Sequence, residues 1–235
     1  FVKFDFDKDF PAAPDGTPAS EDFFTGMPSE CAVGNILYSW NYAFDTRAFG
    51  GKEPKTIKDF FNTKKFPGKR AIYKSALTNL EIALAADGVK LGDGGTRVYR
   101  KLLEDGGIDR AMNKIKKLCT DPNGGCVFWS AGAQPPELLV AGEVVMATGW
   151  NGRFFNAEVG ENAPIKQVWD GQGLDYEYFA LVKGGPDEAN AKKALAMMTN
   201  TEMLAGSAKY IAYAPWRKSS LDVITAGEPW YKDGK

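Results

Sequence analysis

Short runs of β-branched, apolar and aromatic residues recur along this chain between stretches patterned for helix, and that alternation limits the folds open to it. Residues 31–45 (CAVGNILYSWNYAFD) read as a buried strand. A helix is predicted around 57–62, a short strand at 71–73 and an apolar helix at 80–86. Thr78 and Asn79 are the expected caps of that last helix and Gly88 its end. Residues 96–117 read as helix, with a break at Gly106-Gly107. Strands are predicted at 126–129 and 144–148, with a short helix at 136–141 between them. Residues 177–182 read as strand, 186–198 as a helix opened by Pro-Asp-Glu, and 201–208 as another helix. Such spacing predicts an α/β protein with a mixed or parallel sheet. Residues 1–30, with Pro11, Pro14, Gly16, Pro18, Gly26 and Pro28, read as an irregular surface segment crossing the fold.

Composition narrows the chemistry. At 235 residues the chain can bury a substantial core as one domain or two small lobes. Its 29 basic and 30 acidic residues are dispersed, without the basic stripe of a nucleic-acid binder. The longest apolar run, 137–147, is too short and too interrupted to cross a bilayer. The first residues, FVKFDF, have neither the basic nor the apolar region of a signal peptide. There is no histidine, which removes Ser-His and Cys-His nucleophiles, histidine zinc sites and imidazole acid–base chemistry. Asp5, Asp7 and Asp9 imitate the start of a calcium loop. Phe10 and Gly16 stand where the loop glycine and bidentate glutamate belong, so no metal is expected there. Cys119 and Cys126 bracket the turn-forming Thr-Asp-Pro-Asn-Gly-Gly, and are either a disulfide or two thiols. Cys31 is either a small buried residue or the partner of a cysteine elsewhere.

Gly92-Asp-Gly-Gly95 lacks the following Gly-Lys-Ser/Thr of a phosphate loop and reads as a solvated turn. A more informative cluster lies between Trp129 and Tyr178, where Trp129, Trp150, Trp169, Asp170, Asp175 and Glu177 sit at strand ends or in adjacent turns. One tryptophan is ordinary core material. Several beside Asn-Gly and Asp-Gly pairs suit a box for an organic ammonium group, by cation–π attraction and charge-assisted hydrogen bonds.

The segment WSAGAQPPELL at 129–139, followed by GEVVMATGWNGR at 142–153, resembles the signature of the periplasmic spermidine/putrescine-type binding proteins of ABC transporters. Residues 31–45 resemble the strand on which that family's chain first crosses between lobes. VWDGQ and DYEYFALVKG (168–172, 175–184) resemble the return strand, and KYIAYAP (209–215) the last crossing. The resemblance implies an α/β, two-lobed type II periplasmic-binding-protein architecture with an incomplete first lobe. Residues 1–30 and 154–207 would belong to that lobe, and 31–153 and 208–235 to the second. It also implies a ligand in the interlobe cleft, no cofactor, an exported periplasmic location and permease subunits as partners.

Carried over residue by residue, the resemblance places Trp150 against an aliphatic amine and Glu177 as the acceptor of an ammonium. Trp40 lies on the first crossing strand and joins the candidate set. Two acidic positions of polyamine binders fall near Ser75 and Thr78, which are not acidic. Where the putrescine-type pattern has Asp three residues after the cleft tryptophan, this chain has Arg153. A cation there, with the helix start near Thr78 as a second positive pole, suits a carboxylate. Glu177 and Asp175 would hold the ammonium, with Trp150 and Tyr178 on the carbons between. The expected ligand is therefore a zwitterion such as an ω-amino acid, with a polyamine as the alternative. The rival reading is a carboxylate-based hydrolase or lyase using Asp170, Asp175 and Glu177. No nucleophile–base pair or metal cluster accompanies these acids, and a binding protein is the expectation.

Overall fold

The computed structural model describes residues 1–24 and 29–224. Its strands are β1 (Val33–Asp45), β2 (Arg70–Tyr73), β3 (Cys126–Trp129), β4 (Met146–Trp150), β5 (Ile165–Phe179) and β6 (Ala214–Pro215). They are hydrogen-bonded in the order β3-β2-β4-β1-β5, with β6 also on β1. β2 is parallel to β3 and β4, whereas β1 is antiparallel to β4 and β6. The mixed α/β class is the one expected. Helices at Asn79–Ala86, Thr96–Leu103, Gly107–Thr120, Glu188–Met198 and Thr201–Ser207 fall where the pattern predicted. The helical run does break at Gly106-Gly107. Gly106 adopts φ 73°, and a Cβ on Gly107 would lie 1.9 Å from the Lys101 carbonyl oxygen.

β5 was expected only at 177–182 but begins at Ile165. Apart from Ile165 and Val168 its residues are not buried, so it lacks the apolar alternation that identifies a strand. Polar side chains help to hold it beside β1. The Ser39 hydroxyl donates to Gln172 Oε1 (2.8 Å), and the Asn41 amide donates to Gln167 Oε1 (2.9 Å).

The described residues pack as two compact units, one of Ser39–Leu174 and one of residues 1–38 with 175–224. Residues 31–38 and 208–224 pack with the second of these units and 154–174 with the first, whereas the resemblance implied boundaries at 30/31, 153/154 and 207/208. The reason lies in β1. Its opening half pairs Ile36 with Pro215 and Leu37 with Ala214, and its closing half pairs Trp40 with Trp150. The remainder of the expected 208–235 segment lies outside the described residues.

In the Ser39–Leu174 unit, Tyr42, Phe44, Phe60, Phe66, Ile72 and Met146 form the centre of the core. Arg70 is fully buried among them. Its guanidinium donates to the carbonyls of Phe60, Phe66 and Gly68, which closes the loop before β2, and burial pulls its pKa down to about 10. Cys119 and Cys126 are joined in a disulfide that ties the end of helix Gly107–Thr120 to β3, with Cα atoms 4.7 Å apart. Cys31 has no disulfide partner.

The other unit corrects the reading of the N-terminal segment as surface. Phe4, Phe10, Ala19 and Phe23 are buried with Leu204 and Trp216, and the Phe4–Phe10 and Phe10–Phe23 rings meet edge to face at 5.3 and 5.8 Å. The Phe/Asp alternation is therefore a core-forming pattern. Arg217, fully buried, pairs with Asp22 and donates to the carbonyls of Pro11 and Thr199. Burial pushes the Asp22 carboxyl up. The Ser219 hydroxyl and N–H, with the Arg217 guanidinium, outweigh that and hold it below its ordinary value. Its stabilising contribution is thus present above the ordinary carboxylate pKa and lost as pH falls through the depressed one. We predict that Arg217→Met lowers stability by about 3–5 kcal/mol in urea titrations, because it strands a buried carboxylate. The difference should shrink in acid as Asp22 becomes protonated.

Candidate functional site

Tyr73, Trp129 and Trp150 are the last residues of β2, β3 and β4, three mutually parallel strands, and Trp40 lies opposite Trp150 in the ladder. The carboxyl ends of parallel strands are where open α/β sheets hold ligands. The four rings form one cluster. Tyr73 and Trp129 are 4.5 Å apart, Trp40 is 5.4 Å from both Tyr73 and Trp150, and Trp129 is 5.6 Å from Trp150. Trp40 and Trp129 are buried and support the partly exposed Tyr73 and Trp150 from behind. Trp150 stands edge-on to Trp40 and Trp129, an arrangement that the ring quadrupoles favour. Tyr73 was not among the expected site residues. Its position at the end of a strand predicted at 71–73 was the available signal.

Ser75 and Thr78 lie in the loop leaving β2. Ser75 is exposed, and its hydroxyl accepts from the Leu77 N–H (3.2 Å). Thr78 is buried in a positive-φ conformation (φ 69°, ψ −36°), unusual for a β-branched residue. The expected capping is corrected. Thr78 makes no side-chain cap, and the Asn79 amide instead points backward to donate to the carbonyls of Tyr73 and Ser75. The Glu81 carboxylate folds back onto the helix start. Burial raises its pKa, and the N–H groups of Glu81 and Thr78 and the Tyr99 hydroxyl, which hydrogen-bond to it, oppose the rise. An acidic group of the protein therefore already meets the helix dipole there, and the helix start is not a spare positive pole.

Arg153 projects from the helix Asn151–Phe155, which follows Trp150 directly. It is exposed, and no ion pair to it forms among the described residues. It also borders a surface groove with Pro136, Glu137, Val140 and Glu161.

The remaining candidates belong to the other unit. Asp175 and Glu177 share one face of β5, as alternate residues of a strand must. The Tyr38 hydroxyl donates to Asp175 Oδ2 (3.0 Å), and the Tyr176 N–H donates to Asp175 Oδ1 (2.9 Å). Glu177 is exposed and has no ion pair among the described residues. Tyr178 is on the opposite face. Its ring packs against Trp216 at 5.6 Å and Tyr176 at 5.5 Å, so it serves packing and is not brought beside the two acids. Tyr38 was missed by the sequence reading, although it lies two residues before Trp40 on the same face of β1. Among the described residues no cluster of His, Cys, Asp and Glu is arranged to hold a metal, and no helix is long and apolar enough to cross a membrane.

The chain belongs to the bacterial extracellular solute-binding protein family, whose model matches residues 4–235. It is 38% identical over 209 residues to a gamma-aminobutyric acid-binding protein of Pseudomonas aeruginosa, covering 89% of this chain and 56% of that one. It is similar to the solved structure of the periplasmic binding protein MotA from A. tumefaciens B6 in complex with glucopine. The identity is 29% and the TM-score 0.76, over 87% of this chain and 61% of that one. It is also similar to a GABA receptor, at 27% identity and a TM-score of 0.76, over 94% of this chain and 62% of that one. A spermidine/putrescine-binding protein, PotD of Streptococcus pneumoniae, shares the fold at 12% identity and a TM-score of 0.69, over 96% of this chain and 65% of that one. The chain thus spans less than two thirds of the length of each of these relatives. The expected kinship with solute-binding proteins of ABC transporters holds, and so does the α/β fold class.

The loop after β3 is built around Trp150. Gln134 Oε1 accepts from the N–H groups of Ser130 and Ala131, and Gly132 lies against the Trp150 indole, where a Cβ would approach ring carbon Cζ3 to 2.1 Å. We predict that Gly132→Ala displaces Trp150, shifts tryptophan fluorescence and lowers stability by about 1–3 kcal/mol. An unchanged emission spectrum would show that the ring is not held by this contact.

Proposed function

We propose that this chain is the ligand-binding part of an extracytoplasmic receptor for a small amine-bearing nutrient. A zwitterionic ω-amino acid is the favoured ligand and a polyamine the alternative. Binding is non-covalent, without cofactor or chemical conversion, and the loaded receptor delivers its solute to the permease subunits of an ABC importer. An oxidising compartment outside the cytoplasm suits the Cys119–Cys126 disulfide.

The observation that carries the ligand's charge pattern is Arg153, an exposed cation three residues after Trp150 that has no ion-pair partner among the described residues. An exposed guanidinium suits an anion, preferably a carboxylate that it can grip with two hydrogen bonds. A polyamine has none. Asp175 and Glu177 offer the complementary acceptors for an ammonium. The distribution of charge agrees. Residues 39–174 contain nineteen basic and fifteen acidic side chains, and the rest of the chain ten and fifteen, so Arg153 sits in a net positive unit and the two acids in a net negative one. The relatives named for gamma-aminobutyric acid support the same class of ligand, whereas the polyamine-binding neighbour supports the fold alone.

Calorimetry on the full-length protein tests this directly. 4-Aminobutanoate is expected to bind more tightly than putrescine, and at a hundredfold excess over Kd to add about 2.7 kcal/mol of stability. Arg153→Ala should weaken the amino acid by about 2–5 kcal/mol and a diamine little, and Glu177→Gln should weaken both. Tight putrescine or spermidine binding that survives Arg153→Ala, with no amino acid bound, would replace this reading with the polyamine one. Turnover of any bound amine would restore the enzyme reading.

A further inference from the structure

Asp175 differs from Glu177 in being held. Its two oxygens accept from different donors, the Tyr38 hydroxyl at 3.0 Å and the Tyr176 N–H at 2.9 Å. The Tyr176 N–H is backbone of β5 itself, whereas Tyr38 reaches the carboxylate from another strand. The Tyr38 ring is restrained in turn by Tyr213, 5.6 Å away. Burial, the Asp175 carboxylate beside it and Glu177 push the Tyr38 hydroxyl above its ordinary pKa, so it keeps its proton and remains a donor at every physiological pH. A carboxylate gripped from two sides presents its remaining lone pairs in fixed directions. Glu177, exposed on the same face, supplies charge without direction.

We propose that Tyr38 is a positioning residue, which aims Asp175 as a hydrogen-bond acceptor for the ligand's primary ammonium and thereby selects N–H-bearing amines over fully alkylated ones. The inference rests on the reading of the site as an amine receptor. A quaternary ammonium carries the same charge and attracts Glu177 equally, but has no proton to donate to Asp175. Discrimination between the two depends on acceptor geometry more than on charge.

Tyr38→Phe keeps the ring and removes only the hydroxyl, which makes it the variant of choice. In the full-length protein, the affinity ratio of 4-aminobutanoate over its N-trimethyl derivative should fall about 10-fold. Asp175→Asn should lower the ratio as well, and the double variant should be no worse than Asp175→Asn alone. A purely structural role for Tyr38 would lower stability and weaken both ligands equally, leaving the ratio intact. That result, or additive effects in the double variant, would overturn the proposal. Crystal structures of the ligand-free wild type and Tyr38→Phe supply an arm independent of any ligand. The Asp175 carboxylate should turn or lose order in the variant, and an unmoved carboxylate overturns the proposal whatever binds. If the carboxylate moves but the wild type binds no amine, the receptor reading fails while the positioning of Asp175 by Tyr38 stands.

Discussion

The register of β1 is the constraint on which the rest of the structure depends. Along its thirteen residues the partners change from Pro215 and Ala214 to the run from Trp150 to Met146. Side chains alternate between faces, so Tyr38, Trp40 and Tyr42 share one side and Ser39 and Asn41 the other. Each aromatic on the first side has separate work. Tyr38 holds Asp175, Trp40 supports Trp150 and Tyr73, and Tyr42 packs on Phe60 while donating to the Thr56 carbonyl. A slip of one residue would exchange the faces. It would also break the bonds of Ser39 to Asn151 and Gln172 and of Asn41 to Gln167, so polar side chains and aromatic packing specify the same register.

The charged groups divide by whether the fold uses them. Arg70 and Arg217 are fully buried and spend their donors on carbonyls or on Asp22, and Asp59 and Glu81 close helix starts. Such groups cannot serve a ligand without undoing the structure, because an uncompensated buried charge is costly. Arg153 and Glu177 are exposed and lack ion-pair partners among the described residues. Asp175 is intermediate, fixed by internal donors that orient it. Those differences in commitment separate charges that the fold already uses from charges that it leaves available.

The aromatic residues divide in the same way. Trp150 and Tyr73 keep exposed surface over a buried support of Trp40 and Trp129. Tyr178 and Tyr176 are turned onto Trp216, where Gly34 leaves room for the indole; a Cβ there would come within 2.2 Å of it. Being one residue from Glu177 in a strand places Tyr178 on the other side of the sheet.

The strands that bury apolar side chains, and the helices with a clear apolar pattern or an initiating Pro-Asp-Glu, were legible in the sequence, because burial imposes a period that residues themselves record. The signature around Trp129 and Trp150 and the return segment at 175–184 were enough to indicate a solute-binding protein. The start of β5 was not legible, since it is held by pairing and by Gln167 and Gln172 and leaves little hydrophobic trace. The buried N-terminal phenylalanines looked like surface because their partners, Leu204 and Trp216, lie far along the chain. Tertiary structure alone decided that Glu81 meets the helix start, that Tyr38 grips Asp175 and that Tyr178 faces away. Each depends on the direction of a side chain across elements distant in sequence or on the parity of a strand, whereas residue type and local spacing determine only what chemistry is available.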